Sequence, residues 1–142
     1  MAYAISFWKE DTNMWSTNKP QYGDHIRVNR GLYYHHGIYV SDEYVINFAS
    51  TKPGYELDPN SASVCIVSLK DFLKNGMCEV RIYTAEEEKI KRNNQDIVNY
   101  AFTKIGSKGY NLLNNNCEHF ANECVFGKKR SEQIDNIKKI FN

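Results

Sequence analysis

The stretch Asn116-Cys117-Glu118-His119-Phe120 constrains this chain most, because the polar run Asn114-Asn115-Asn116 gives way there to a cysteine that opens an amphipathic helix. From Cys117 the apolar residues Phe120, Ala121, Cys124 and Val125 recur three, four, seven and eight positions on. That spacing draws one helical stripe, with Glu118, Asn122 and Glu123 off it. Asn115 followed by Glu118 reads as a capping pair, which puts Cys117 in the first turn. Unpaired amides and the helix dipole favour a thiolate at such a position, so the thiol is expected to titrate below its free value of about 8.5. The same pattern also suits a buried structural cysteine at a helix start.

An imidazole on a different kind of element shifts that balance. Tyr33-Tyr34-His35-His36-Gly37-Ile38-Tyr39-Val40 is rich in aromatic and β-branched residues and too short for an ordinary helix. On a strand His35, Gly37 and Tyr39 share one face, and His36, Ile38 and Val40 share the other. Only one of the two histidines can then face Cys117. Gly37 leaves room for a substrate beside His35, while His36 stands in line with two apolar residues, so His35 is the favoured base and His36 the alternative. Either histidine taken singly could equally be structural.

With these residues in place, "HHGIYV" followed by "NCEHF" resembles the lecithin:retinol acyltransferase family, and within it the H-Ras-like-suppressor branch of phospholipase/acyltransferases. "YGDHIRVNR", "YVINF" and "NCEHFANECVFGKKRSEQ" extend the resemblance along most of the chain. The resemblance implies a circularly permuted papain-like (NlpC-type) domain of the α+β class, an antiparallel sheet packed against about three helices. It also implies a cysteine nucleophile at Cys117 and a histidine base at His35. The family's third polar residue, usually histidine, falls twelve positions on, where this chain carries Asn47.

Composition agrees with a single domain over residues 1–142: 42% of the chain is hydrophobic and 13% aromatic, enough for one core. Eighteen basic against seventeen acidic residues leave a net charge of +1, which offers no general attraction to nucleic acid. Lys128-Lys129-Arg130 is a local exception, a candidate for peripheral membrane contact or simply a solvated basic surface. The four cysteines, Cys65, Cys78, Cys117 and Cys124, lack C-x-x-C spacing, and no signal peptide precedes them. Reduced thiols in a cytoplasmic setting are expected, with neither metal nor cofactor. No apolar run approaches the roughly twenty residues that span a bilayer. The resembling branch carries a hydrophobic anchor beyond the segment matching Ser131 to Ile140, and this sequence stops at Asn142, so it is expected either to be cut short of such an anchor or to lack one.

Strands are expected at His25–Val28, His35–Val40, Tyr44–Phe48, Val64–Val67 and Glu79–Tyr83, the second and third joined through Ser41-Asp42-Glu43. Thr51–Ser63, with Pro53, Gly54 and Pro59, reads as a loop near the site. Leu69–Leu73 reads as a turn or short helix. Thr84 with Glu87 signals a capping box, and Ile90, Ile97, Tyr100, Ala101 and Ile105 continue one helical face to Gly106. Ser131 is expected to cap a last helix. His119 lies far around the helix from Cys117 and suits packing or hydrogen bonding, and His25 beside Asp24 suits a surface or strand-end pair.

The expected chemistry is acyl transfer. A Cys117 thiolate, formed with His35 as base, attacks an ester of a phospholipid or another acyl ester and holds the acyl group as a thioester; water, an amine or a lysophospholipid then accepts it. Amides at the helix start, at Asn116, Cys117 and Glu118, are the expected oxyanion donors. Asn47 would orient the imidazole through its amide oxygen. The alternatives are a cysteine peptidase or amidase, and a non-enzymatic interaction module on the same scaffold.

Overall fold

The β-branched and aromatic runs become a single antiparallel sheet in the computed structural model, which describes residues 14–50, 52–55, 58–110 and 116–127. In chain order its strands are β1 (Trp15–Ser16), β2 (His25–Asn29), β3 (Tyr34–Ser41), β4 (Tyr44–Ala49), β5 (Ser63–Val67) and β6 (Glu79–Arg81). They lie side by side as β1-β6-β2-β3-β4-β5. Asp42 and Glu43 alone join β3 to β4, and this short connection makes the two strands neighbours. β1 falls outside the expected strands. Two residues are too few to show alternation, and pairing with Arg81 and Val80 of β6 is what makes them a strand.

Alternation along β3 and β4 sends side chains to two separate cores. On one face Ile26, Val28, Tyr39, Val45 and Val80 pack around Phe72 of helix α1 (Leu69–Leu73), which Ser68 caps by accepting the Asp71 amide. On the other, Ile38, Ile46, Phe48 and Val64 meet Ile97, Val98 and Ala101 of helix α3 (Asn94–Thr103) and the apolar stripe of helix α4 (117–127). Cys117, Phe120, Ala121, Cys124 and Val125 are all buried in this second core, as their helical spacing predicts.

The capping box at Thr84 and Glu87 is present and opens helix α2 (Ala85–Ile90), but the helix does not continue to Gly106. It stops because Arg92 is drawn away: its amide donates to the Val125 carbonyl at 2.9 Å and its guanidinium to the Cys124 carbonyl at 3.2 Å, both near the end of α4. Asn93 then caps α3 by accepting the Asp96 amide. A single stripe of apolar residues thus belongs to two helices, since a long-range contact breaks the run. The described residues thus hold four α-helices where about three helices were expected. The short helix Pro59–Ser61 lies inside the expected loop. The cap expected at Ser131 and the basic run Lys128-Lys129-Arg130 lie outside the described residues, and no helix among those described is long and apolar enough to cross a membrane.

Candidate active site

Helix α4 begins with an exchange of hydrogen bonds. The His119 amide donates to Asn116 Oδ1 at 3.0 Å, and the Asn116 amide in turn donates to His119 Nδ1 at 3.4 Å. The Phe120 amide bonds the Asn116 carbonyl at 3.0 Å. Asn115 lies outside the described residues; the cap is Asn116, with His119 in the reciprocal place expected for Glu118. His119 therefore holds the helix start. With the amides of His119 and Phe120 occupied, those of Cys117 and Glu118 remain for the first turn, near enough to the Cys117 thiol to favour its thiolate form.

The sulfur is lodged against β3. It lies 3.8 Å from the Tyr34 carbonyl and near the His36 backbone, so it flanks the backbone of His35. Strand geometry explains why there is space. Odd-numbered residues of β3 bond toward β2, as in Tyr39 to Asp24 at 2.9 Å and Arg30 to Tyr33 at 2.8 Å, which turns the Tyr34 carbonyl and His36 amide toward β4. Pairing of β3 with β4 ends at Gly37 opposite Asn47, while β4 continues along β5 to Ala49. The first turn of α4 thus meets β3 where β4 has left it.

Position 35 carries the imidazole expected there. His35 Nε2 lies 2.8 Å from Asn47 Oδ1, and Asn47 Nδ2 donates to the Cys65 carbonyl at 3.1 Å. The second bond fixes which end of the amide faces the ring: its oxygen must accept, so Nε2 carries the proton and Nδ1 holds the lone pair. Burial lowers the His35 pKa to about 4; the Asn47 bond opposes the shift, and Arg30 and Lys74 add to it. Desolvation also pushes the Cys117 thiol up, against backbone hydrogen bonds that pull it down. This reverses the expectation of a thiol held low by the helix start. The cost of burying a thiolate exceeds what the first-turn amides return, so the Cys117 thiol and the His35 imidazole both rest neutral.

His35 and Asn47 line a cleft of about 640 Å³ with Arg30, Tyr33, Phe72 and Tyr110. The space is not above Gly37. A Cβ there would come within 2.8 Å of Phe72 and 3.1 Å of Val45, so this glycine lets α1 pack closely on the sheet instead of admitting a ligand. His36 has other partners. Its Nδ1 is 2.8 Å from His25 Nε2, beside the edge of Trp15, and its Nε2 is 3.7 Å from Glu118. Burial, with Arg27 nearby, lowers the His36 pKa to about 3, so its approach to Glu118 is a polar contact and not an ion pair. His25 stands at the start of β2, the strand end expected as one of its two places, and is fully buried there and not on the surface.

Tyr110 is the residue that sequence reading passed over. Its hydroxyl lies close to the backbone and thiol of Cys117, and its ring stands edge-on to Phe48 with centroids 5.0 Å apart. Burial and the neighbouring thiol raise its pKa to about 12, which keeps the hydroxyl a neutral donor. A tyrosine seven positions before a cysteine has no helical or strand period to mark it; only the fold brings the two together. No group of three or more metal-ligating side chains occurs among the described residues.

The sequence matches the family model described as "Lecithin retinol acyltransferase" over residues 18–130. It is 32% identical over 130 residues to human phospholipase A and acyltransferase 4, covering 84% of this chain and 78% of the relative. It is 33% identical over 138 residues to mouse phospholipase A and acyltransferase 3, covering 86% and 81%. Against rat lecithin retinol acyltransferase the identity is 28% over 132 residues, covering 80% of this chain and 57% of that one. A family match that runs from before β2 through α4, the elements that assemble the cleft and the buried thiol, makes this chain a member of the lecithin retinol acyltransferase family.

Proposed function

We propose that this protein is a cysteine-dependent acyltransferase and phospholipase A acting on glycerophospholipid acyl esters, built on a permuted papain-like domain. The observation that carries the reading is the His35–Asn47 bond in the cleft wall, on the strand against which the Cys117 sulfur rests. A histidine whose Nε2–H is held by an amide oxygen offers Nδ1 as a base, as in Cys-His-Asn sites generally. Names of the relatives, phospholipase A and acyltransferase, support the same substrate class.

Because thiol and imidazole both rest neutral, proton transfer accompanies attack. The Cys117 proton passes to His35 Nδ1 as Sγ bonds the ester carbonyl carbon, and the carbonyl π electrons move onto oxygen. The Cys117 and Glu118 amides and the Tyr110 hydroxyl, which lie near the Cys117 sulfur, would serve as donors to that oxyanion. When the tetrahedral adduct collapses, the C–O bond breaks and the leaving alcohol takes the proton from His35, leaving a thioester on Cys117. Water, an amine or a hydroxyl acceptor then gives its proton to His35 and attacks the thioester carbon. The acyl group leaves as a free acid or a transferred product, and the sulfur recovers its proton. Asn47 holds the ring throughout and stabilises the imidazolium through a neutral acceptor.

Intact-mass measurement after incubation with a phospholipid tests this directly. One added acyl mass on the wild-type chain, absent from Cys117→Ser, is the expected result. Equal turnover by Cys117→Ser would reject the thioester, and a folded wild type that never acquires the adduct or releases product would point to a binding module.

A further inference from the structure

Outside the reacting groups, the mouth of the cleft has an unusual surface. The turn from β2 to β3 ends in Leu32, which is 91% exposed, beside Tyr33, which lines the cleft. Arg30 of the same turn donates to the Phe72 carbonyl at 2.7 Å and so fastens the turn to α1. The loop leaving α1 runs alongside: a Cβ at Gly76 would meet Val28 at 2.5 Å, and the next residue, Met77, is 69% exposed. Basic side chains accompany these apolar tips. Arg30, Lys70 and Lys74 all line the cleft, against Asp58 and Asp71.

We propose that this rim, with Leu32 at its tip and Lys70 and Lys74 beside it, docks on a lipid bilayer carrying anionic headgroups. The inference rests on the phospholipid reading above, since an acyl ester held in a bilayer must reach His35 through this mouth. Isolated apolar tips on separate loops, interspersed with cations, suit insertion between headgroups; a protein partner would call for a contiguous apolar patch with a polar rim. The cations supply the charge complementarity, each near-surface Lys or Arg strengthening attachment to an anionic leaflet.

Co-sedimentation of the full chain carrying Cys117→Ser, which leaves the lipid intact, tests the surface apart from the chemistry. The vesicles are phosphatidylcholine alone and phosphatidylcholine mixed with phosphatidylserine. Binding should be stronger to the mixed vesicles, and Leu32→Asp should lower it about tenfold while Leu32→Ser lowers it less. Lys74→Glu should weaken binding to the mixed vesicles by about tenfold and hardly affect the neutral ones. Circular dichroism should show every variant folded, as expected for exposed positions. Hydrolysis of a monomeric short-chain ester by Leu32→Asp in the Cys117 background should equal wild type. Absence of vesicle binding, equal binding by Leu32→Asp, or a loss confined to charge reversal at Lys128, Lys129 and Arg130 would each overturn the proposal. Vesicle binding as expected with no acyl adduct on Cys117 would instead leave the rim standing and reject the catalytic reading.

Discussion

Replacing Asn47 separates a positioned catalytic histidine from a buried structural one. Asn47 is 2% exposed and acts at both ends, accepting from His35 Nε2 at 2.8 Å and donating to the Cys65 carbonyl at 3.1 Å. Asn47→Ala leaves the ring N–H without its acceptor, frees the ring to rotate, and removes the one hydrogen bond that raises the His35 pKa. Losing a buried partner costs about 1–3 kcal/mol. If that bond is tighter in the transition state, where the ring is charged, the rate should fall about tenfold to a hundredfold without vanishing. Asn47→His should be tolerated, because a neutral imidazole also has one acceptor and one donor, the same pair of functions the amide supplies to His35 and Cys65. Asn47→Asp is the informative contrast: it keeps the acceptor but turns a carboxylate oxygen toward the Cys65 carbonyl, so it should lose stability that Asn47→His retains. The assay is kcat on a soluble ester alongside Tm. Unchanged kcat in Asn47→Ala would refute the positioning role.

The remaining predictions concern the other groups of the site. His35→Ala should remove far more turnover than His36→Ala, whereas His36→Ala should lower Tm more, because it strands the buried His25 ring; the reverse ranking in kcat would make His36 the base. Alkylation of Cys117 by iodoacetamide should be slow at neutral pH and rise as pH passes above the ordinary thiol range, since burial raises its pKa and neutral His35 offers no cation to hold a thiolate. A plateau in labelling already reached below pH 7 would show a preformed thiolate–imidazolium pair. Tyr110→Phe should lower kcat about tenfold through loss of one oxyanion donor, with KM little changed; an unaltered kcat would leave Tyr110 as packing for Phe48.

Local patterns in the sequence carried much of this protein. The β-branched and aromatic runs marked the central strands, the two-residue Asp42-Glu43 connection made β3 and β4 neighbours, and the stripe from Phe120 to Val125 marked the buried face of α4. The His35–Asn47 bond was legible for the same reason. Twelve residues folded about a tight turn return a strand to nearly the same level, where two polar side chains on one face must meet or go unpaired. Tertiary structure decided what depends on distant residues. The break between α2 and α3 follows from Arg92 reaching the end of α4, 32 positions on. Tyr110 reaches Cys117, and His25 reaches His36, by packing that no local period records. The charge state of the site belongs to the same class. A helix start by itself favours a thiolate, but how far water is removed from Cys117 and His35 depends on the sheet and helices closing around them, and that desolvation, set by the whole fold, outweighs the local dipole.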